Sequence, residues 1–188
     1  SAPEFIFQRT TSPEKAPNKP SFVTINFKNS NPIGLNGKKL NPSKLLGKLN
    51  QLAEKNGIGR VDLVENRFIG IKSRGVYETP GGTLLIHAHR AIESVTLDKK
   101  IMHKKDEIMP RYAELIYNGY WYSKERFKLQ KIIDLKKNRV NGSVRLKLYK
   151  GNITIESRQT KSMAYSIRKV SFEDNKTFKK SNVERFIN

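Results

Sequence analysis

A chain of 188 residues, 36% hydrophobic and 29% charged, is long enough for one sizeable domain around a single core. It holds no cysteine, which excludes a disulfide framework or thiolate metal site and fits a reducing compartment, the cytoplasm by default; no apolar run approaches the ~20 residues that span a bilayer, and no secretion signal is visible. The formal net charge of +20 is the footprint of a nucleic-acid or anionic-surface binder, the class that composition alone ranks first.

Residues 1–20 read as an extended arm. An apolar cluster at Phe5, Ile6 and Phe7 precedes a segment punctuated by Pro13, Pro17 and Pro20, and such segments suit a connection laid over a surface. Phe5 and Phe7 are expected to dock on a neighbour. From Phe22 to Phe27 the pattern alternates, with Val23, Ile25 and Phe27 on one face, and Asn36-Gly37 suits a type I′ turn, so two or three short antiparallel strands are predicted. Asn41 offers an N-cap and Pro42 fits the first helical position; Leu45, Leu46, Leu49, Leu52 and Ala53 then recur at helical spacing as far as Gly57.

The stretch from Gly57 to Pro80 reads GIGRVDLVENRFIGIKSRGVYETP. Its apolar residues (Val61, Leu63, Val64, Phe68, Ile69, Ile71) are broken by Glu65, Asn66 and Arg67 and followed by Lys72, Ser73, Arg74, Gly75, Tyr77 and Glu78. Charges among core-forming residues are costly unless paired, so Glu65, Arg67, Arg74 and Glu78 suggest either an ion-pair network or a polar small-molecule site. Spacing leaves both open.

Thr79-Pro80 repeats the helix start signal, and Leu85, Ala88, Ile92 and Val95 form the stripe of a second helix. His87 and His89 are two apart and cannot share a helical face, which argues against a metal pair; both read as ordinary surface or capping histidines, and His103 stands alone. Residues 99–122 read as helical but interrupted at Pro110. Tyr112, Leu115, Ile116 and Gly119 share a face there, and Tyr117, Tyr120, Trp121 and Tyr122 crowd the end, an aromatic group that reads as core or subunit interface ahead of a base-stacking platform. Ser123 caps a third helix carrying Phe127, Ile132 and Ile133 and ended by Asn141-Gly142. Val144, Leu146 and Leu148, a turn at Gly151-Asn152, and Ile153 with Ile155 make a hairpin.

Hairpins rather than βαβ spacing give an α+β fold, a largely antiparallel sheet packed with three or more helices. The expected layout is an arm over 1–20, the domain over 21–156 and a polar, basic tail over 157–188. No glycine cluster makes the strand-to-helix turn that cradles a triphosphate.

The 57–80 segment resembles the argininosuccinate synthase family, whose members carry GxGRxDxVENRxxGxKSRGxYETP; every fixed position is present here. The likeness continues through Gly82, Thr83 and Leu84, through residues 113–121 (AELIYNGYW), and earlier through residues 12–17 (SPEKAP). It weakens towards the end. Ser162, Met163, Ala164 and Tyr165 stand where relatives carry Ser-Leu-Tyr, Glu184, Arg185, Phe186, Ile187 and Asn188 where they carry Thr-Gly-Phe-Ile-Asn, and relatives continue further.

The resemblance implies the C-terminal synthetase and multimerisation domain of an ATP-dependent ligase of arginine biosynthesis, which joins citrulline to aspartate and releases AMP and pyrophosphate. It implies that ATP, with Mg, and aspartate are bound by an N-terminal domain with an SGGxDTS loop, so that this chain alone is inactive. Glu65 and Tyr77 are then the citrulline contacts, the carboxylate receiving an α-ammonium and the phenol bonding the amino-acid head group; Arg67, Arg74 and Glu78 are the supporting shell. Against this stands a glutamate merely paired to Arg67 or Arg74 and a tyrosine packed as core. The resemblance also implies a homotetramer, with self-association expected through Phe5, Phe7 and the aromatic group around Trp121.

The competing function is a stand-alone basic module, derived from the enzyme, for RNA or an anionic surface. Its cations, however, are scattered in short clusters (Lys38-Lys39, Lys99-Lys100, Lys104-Lys105, Lys136-Lys137, Lys179-Lys180) with no RNP-like, zinc-finger or helix-turn-helix signature. A solvated basic surface or a missing acidic partner domain therefore ranks ahead of nucleic acid.

Overall fold

The computed structural model describes residues 2–161. In chain order its elements are β1 (Ser21–Lys28), β2 (Asn31–Leu35), β3 (Lys38–Lys39), α1 (Pro42–Lys55), β4 (Arg60–Asn66), β5 (Lys72–Glu78), α2 (Pro80–Thr96), α3 (Lys99–Tyr117), α4 (Lys124–Ile133), β6 (Gly142–Tyr149) and β7 (Asn152–Gln159). Five strands form one antiparallel sheet in the order β3-β2-β1-β6-β7, and β4 and β5 form a separate two-stranded ribbon. The α+β expectation holds.

The alternation in β1 sets the core. Val23, Ile25 and Phe27 share a face with Val144, Leu146 and Leu148 of β6, because the register pairs Val23 with Leu146 and Ile25 with Val144. That face meets Leu45, Leu49 and Ala53 of α1 and Leu84, Ala88, Ala91 and Ile92 of α2, all buried. Each such Leu, Ile or Val removed from water contributes about 1.5–3 kcal/mol. Asn41 caps α1 by accepting from the Lys44 N–H at 2.8 Å, and Ser123 caps α4 through the Arg126 N–H at 3.1 Å. Asn36 and Gly37, with φ of 48° and 78°, make the predicted turn.

Several boundaries differ from the sequence reading. The buried stripe of α2 is Leu84, Ala88, Ala91 and Ile92, with Leu85 and Val95 only partly buried. Helix α3 runs through Pro110 without interruption; the proline lies on an exposed face, where water can take the carbonyl bond that its missing N–H gives up. Helix α4 ends at Ile133, well before Asn141, and a short 3-10 turn (Lys137–Arg139) follows. The β6–β7 turn is Lys150-Gly151, both at positive φ, and β7 runs past residue 156 to Gln159. The departures at 162–165 and 184–188, Lys179-Lys180 and the tail from 162 onward lie outside the described residues.

His89 is not an ordinary surface histidine. Its ring is half-buried against Phe27 at 5.8 Å, Nε2 lies 2.6 Å from the Ser30 hydroxyl, and Nδ1 is 3.6 Å from Glu93. Burial pushes its pKa below the ordinary value, with Glu93 acting in the opposite sense. Glu93 itself is buried, paired with the equally buried Lys105 of α3. His87, two residues earlier and so turned away from that face, is exposed. At the far end of α3, the buried Arg126 guanidinium lies over the rings of Trp121 and Phe127, at 4.7 and 3.9 Å. Its Nε also donates to the Trp121 carbonyl at 2.8 Å, so part of the aromatic group encloses a cation.

The arm is tied down along its length. The Thr11 N–H donates to the Glu54 carbonyl at 2.9 Å, and Lys150 donates to the carbonyls of Glu14 and Ala16, each at 3.2 Å. Phe7 lies under the Arg60 guanidinium at 4.1 Å, whereas Phe5 is 80% exposed.

Candidate functional site

Strands β4 and β5 pair in the register Val61 with Tyr77, Leu63 with Gly75 and Glu65 with Ser73. Because successive side chains alternate across a ribbon, Val61, Leu63, Glu65, Ser73, Gly75 and Tyr77 occupy one face. Arg60, Asp62, Val64, Arg74, Val76 and Glu78 occupy the other. The charges that the sequence crowds together are thus sorted to opposite sides.

On the first face the Tyr77 hydroxyl donates to Glu65 Oε1 at 2.7 Å. Arg67 is 3.3 Å from the same oxygen and donates to the Ser73 hydroxyl at 3.1 Å. Among the described residues no hydrogen bond reaches Glu65 Oε2. The Glu65 side chain is only 15% exposed, while Tyr77 is 42% exposed. Tyr77 is therefore not core, and Glu65 is a shielded carboxylate with one oxygen occupied and one open. The bond to Glu65, with burial and the carboxylate's charge in support, raises the Tyr77 pKa above its ordinary value.

Tyr77 reaches Glu65 because its ring lies over Gly75, where a Cβ would stand 2.3 Å from Cε2. A second glycine holds the base of the ribbon. Gly59, at φ +101°, would bring a Cβ within 2.5 Å of the Pro80 backbone, and its carbonyl accepts from the Thr79 N–H at 2.8 Å. This contact places the start of α2 against β4. Thr79 precedes α2 as predicted but does not cap it; its hydroxyl lies 3.2 Å from that of Thr83.

The three residues expected around the pair separate. Arg67 touches Glu65. Arg74 instead makes a two-pronged pair with Asp62 at 2.8 and 2.6 Å on the opposite face. Glu78 turns to the arm, accepting from the N–H groups of Gln8, Arg9 and Thr10 at 2.9, 3.1 and 2.7 Å and from the Thr10 hydroxyl at 2.7 Å. Burial would raise the Glu78 pKa, but these bonds outweigh it and hold the carboxyl below its ordinary value. The sequence reading gives Gly75, Asp62 and Thr10 no role. The strand alternation itself could have exposed Gly75, two residues before Tyr77 on the same face.

A cavity of about 590 Å³ lies elsewhere, between Phe27, Pro32, Leu85, His89 and Met109. Beside the ribbon, Arg67, Phe68, Ile69, Ile71 and Tyr117 border an open hollow of about 580 Å³. Phe68 and Ile69 at the ribbon tip are 66% and 76% exposed. Among the described residues no group of three His, Asp or Glu side chains is placed to hold a metal ion, and no helix is long and apolar enough to cross a membrane.

A family profile described as the arginosuccinate synthase C-terminal domain matches residues 1–188. The argininosuccinate synthase of Pelagibacter ubique (strain HTCC1062) is 84% identical over 188 residues, covering 100% of this chain and 48% of that protein. Those of Mesorhizobium japonicum and Zymomonas mobilis are 60% and 58% identical, covering 93% and 92% of this chain and 43% and 42% of their own lengths. The chain spans less than half of each of these curated relatives. With the chain matched from end to end, it belongs to the argininosuccinate synthase family, as the C-terminal domain.

Proposed function

We propose that this chain supplies the part of an argininosuccinate synthase that holds the amino-acid head group of citrulline, with Glu65 and Tyr77 as its contacts. The observation that carries the reading is the half-occupied carboxylate. Tyr77 and Arg67 fix Glu65 through Oε1, leaving Oε2 as an acceptor for an α-ammonium. An ion pair to a shielded carboxylate is a strong anchor, and a fixed head group restricts where the ureido end can lie. That is the positioning a ligase of this kind depends on.

ATP with Mg, and aspartate, belong to the half of the protein that the relatives carry in addition. In this reading the ureido oxygen of citrulline would take the α-phosphoryl group of ATP with loss of pyrophosphate, and the amine of aspartate would then displace AMP from the ureido carbon. The chain alone has no ligase activity in this reading. The exposed Phe5, Tyr120 and Tyr122 and the ribbon tip are surfaces for the other half and for neighbouring subunits of a cytoplasmic homotetramer.

The reading is tested by producing this chain joined behind the N-terminal half of the Pelagibacter relative. Pyrophosphate release that requires citrulline and aspartate is expected from the joined protein and not from either half. Release by this chain alone, or a joined and folded protein indifferent to citrulline, would overturn it.

A further inference from the structure

The ribbon that carries Glu65 and Tyr77 stands outside the five-stranded sheet. A two-stranded ribbon has little stability or fixed direction of its own, so the placement of the pair depends on how the ribbon base is anchored. The densest anchor is Glu78, the neighbour of Tyr77 in β5. Three consecutive backbone N–H groups of the arm, at Gln8, Arg9 and Thr10, converge on its carboxylate, and successive amides of this kind form a cradle for an anion. Arg60, which pairs with Glu78 across the ribbon, closes the other side. Its Nε donates to the Thr10 hydroxyl at 2.8 Å and its Nη2 to the Thr10 carbonyl at 2.7 Å, while both Nη atoms reach Glu4 at 2.8 Å. Thr10 is buried as a result. Since the chain matches the C-terminal part of its relatives, this arm is the segment that the other half leads into.

We propose that Glu78 is a positioning residue: by gripping residues 8–10 of the arm it fixes β5, and so sets the placement of Tyr77 and Glu65 relative to the half of the protein that precedes the arm. This rests on the citrulline reading given above. The strand transmits the effect because Tyr77 and Glu78 are consecutive and face opposite ways, so a shift of one carries the other.

The test uses the joined full-length protein. Glu78→Gln keeps the shape but replaces one acceptor oxygen with an amide that cannot receive the arm's N–H groups, and Thr10→Val, a milder change, removes only the hydroxyl bonds. Hydrogen–deuterium exchange over residues 8–10 and the KM values for citrulline and ATP are read on both. The expected result for Glu78→Gln is faster exchange in the arm and a citrulline KM raised on the order of ten-fold, with the ATP KM unchanged; Thr10→Val moves both in the same direction by less. Unchanged exchange in both variants would overturn the grip. Faster exchange with an unmoved citrulline KM would overturn the coupling while leaving the citrulline reading intact, since that reading stands or falls on Glu65→Gln in the same protein. Should Glu78→Gln fail to fold, Thr10→Val decides between the same outcomes.

Discussion

The ring of Tyr77 lies against the bare backbone of Gly75, where a Cβ would stand 2.3 Å from Cε2, and from there its hydroxyl donates to Glu65. Gly75→Ala should therefore push the ring away and break the bond. The raised pKa of Tyr77 comes first from that bond, so in the variant it should fall back towards 10. The sign follows from the donor being the neutral phenol. The stabilisation is fully present below the ordinary value and is lost as pH rises through the raised one. A spectrophotometric titration should show one tyrosine moving down in Gly75→Ala, and Tyr77→Phe should weaken citrulline binding by about two- to ten-fold. A titration identical to the parent's would refute this dependence on Gly75.

The buried pair of Glu93 and Lys105 joins α2 to α3. Lys105→Met leaves the carboxylate buried with only His89 at 3.6 Å and Arg90 at 4.0 Å, and should cost about 3–5 kcal/mol of stability. Combining it with Glu93→Leu removes the stranded charge and should restore most of that loss. Denaturant midpoints of the single and double variants decide, and equal destabilisation of both would contradict the prediction.

His89 gives the pH dependence. Its folded pKa lies below the ordinary 6.5, first because of burial, with Lys105 and Arg90 also opposing the charge and Glu93 favouring it. Between the two values the unfolded chain binds the extra proton, so stability falls as pH drops below about 6.5 and is fully kept above it. His89→Gln should flatten this slope between neutral and mildly acid pH. An unchanged slope would assign the dependence to another group.

Much of the frame was legible because it is local. The alternation in Val23, Ile25 and Phe27, the Asn41-Pro42 start of α1 and the Asn36-Gly37 turn each depend on a few adjacent residues, and each formed as read. What failed depends on burial or on distant partners. Pro110 did not break α3, because its exposed position spares the helix a buried, unbonded carbonyl. His87 and His89 looked alike, yet one faces water and the other the gap between Phe27 and Glu93. In the ribbon the residue types were evident but their faces were not. Only the register that sets Glu65 opposite Ser73 separates Arg67 from Arg74 and Glu78, and nothing near Glu78 in the sequence announces that its partners lie at residues 8–10.

Citrulline binding by the joined protein carrying Glu65→Gln, measured by calorimetry beside the parent, bears most directly on the role given to this carboxylate. If Oε2 receives the ammonium of citrulline in a shielded setting, neutralising Glu65 costs on the order of 2–5 kcal/mol, roughly 30-fold or more in Kd, while ATP binding is unchanged. A variant that melts at lower temperature but binds citrulline as the parent does would show that Glu65 serves only Tyr77 and Arg67, and that the head group of the substrate is held elsewhere.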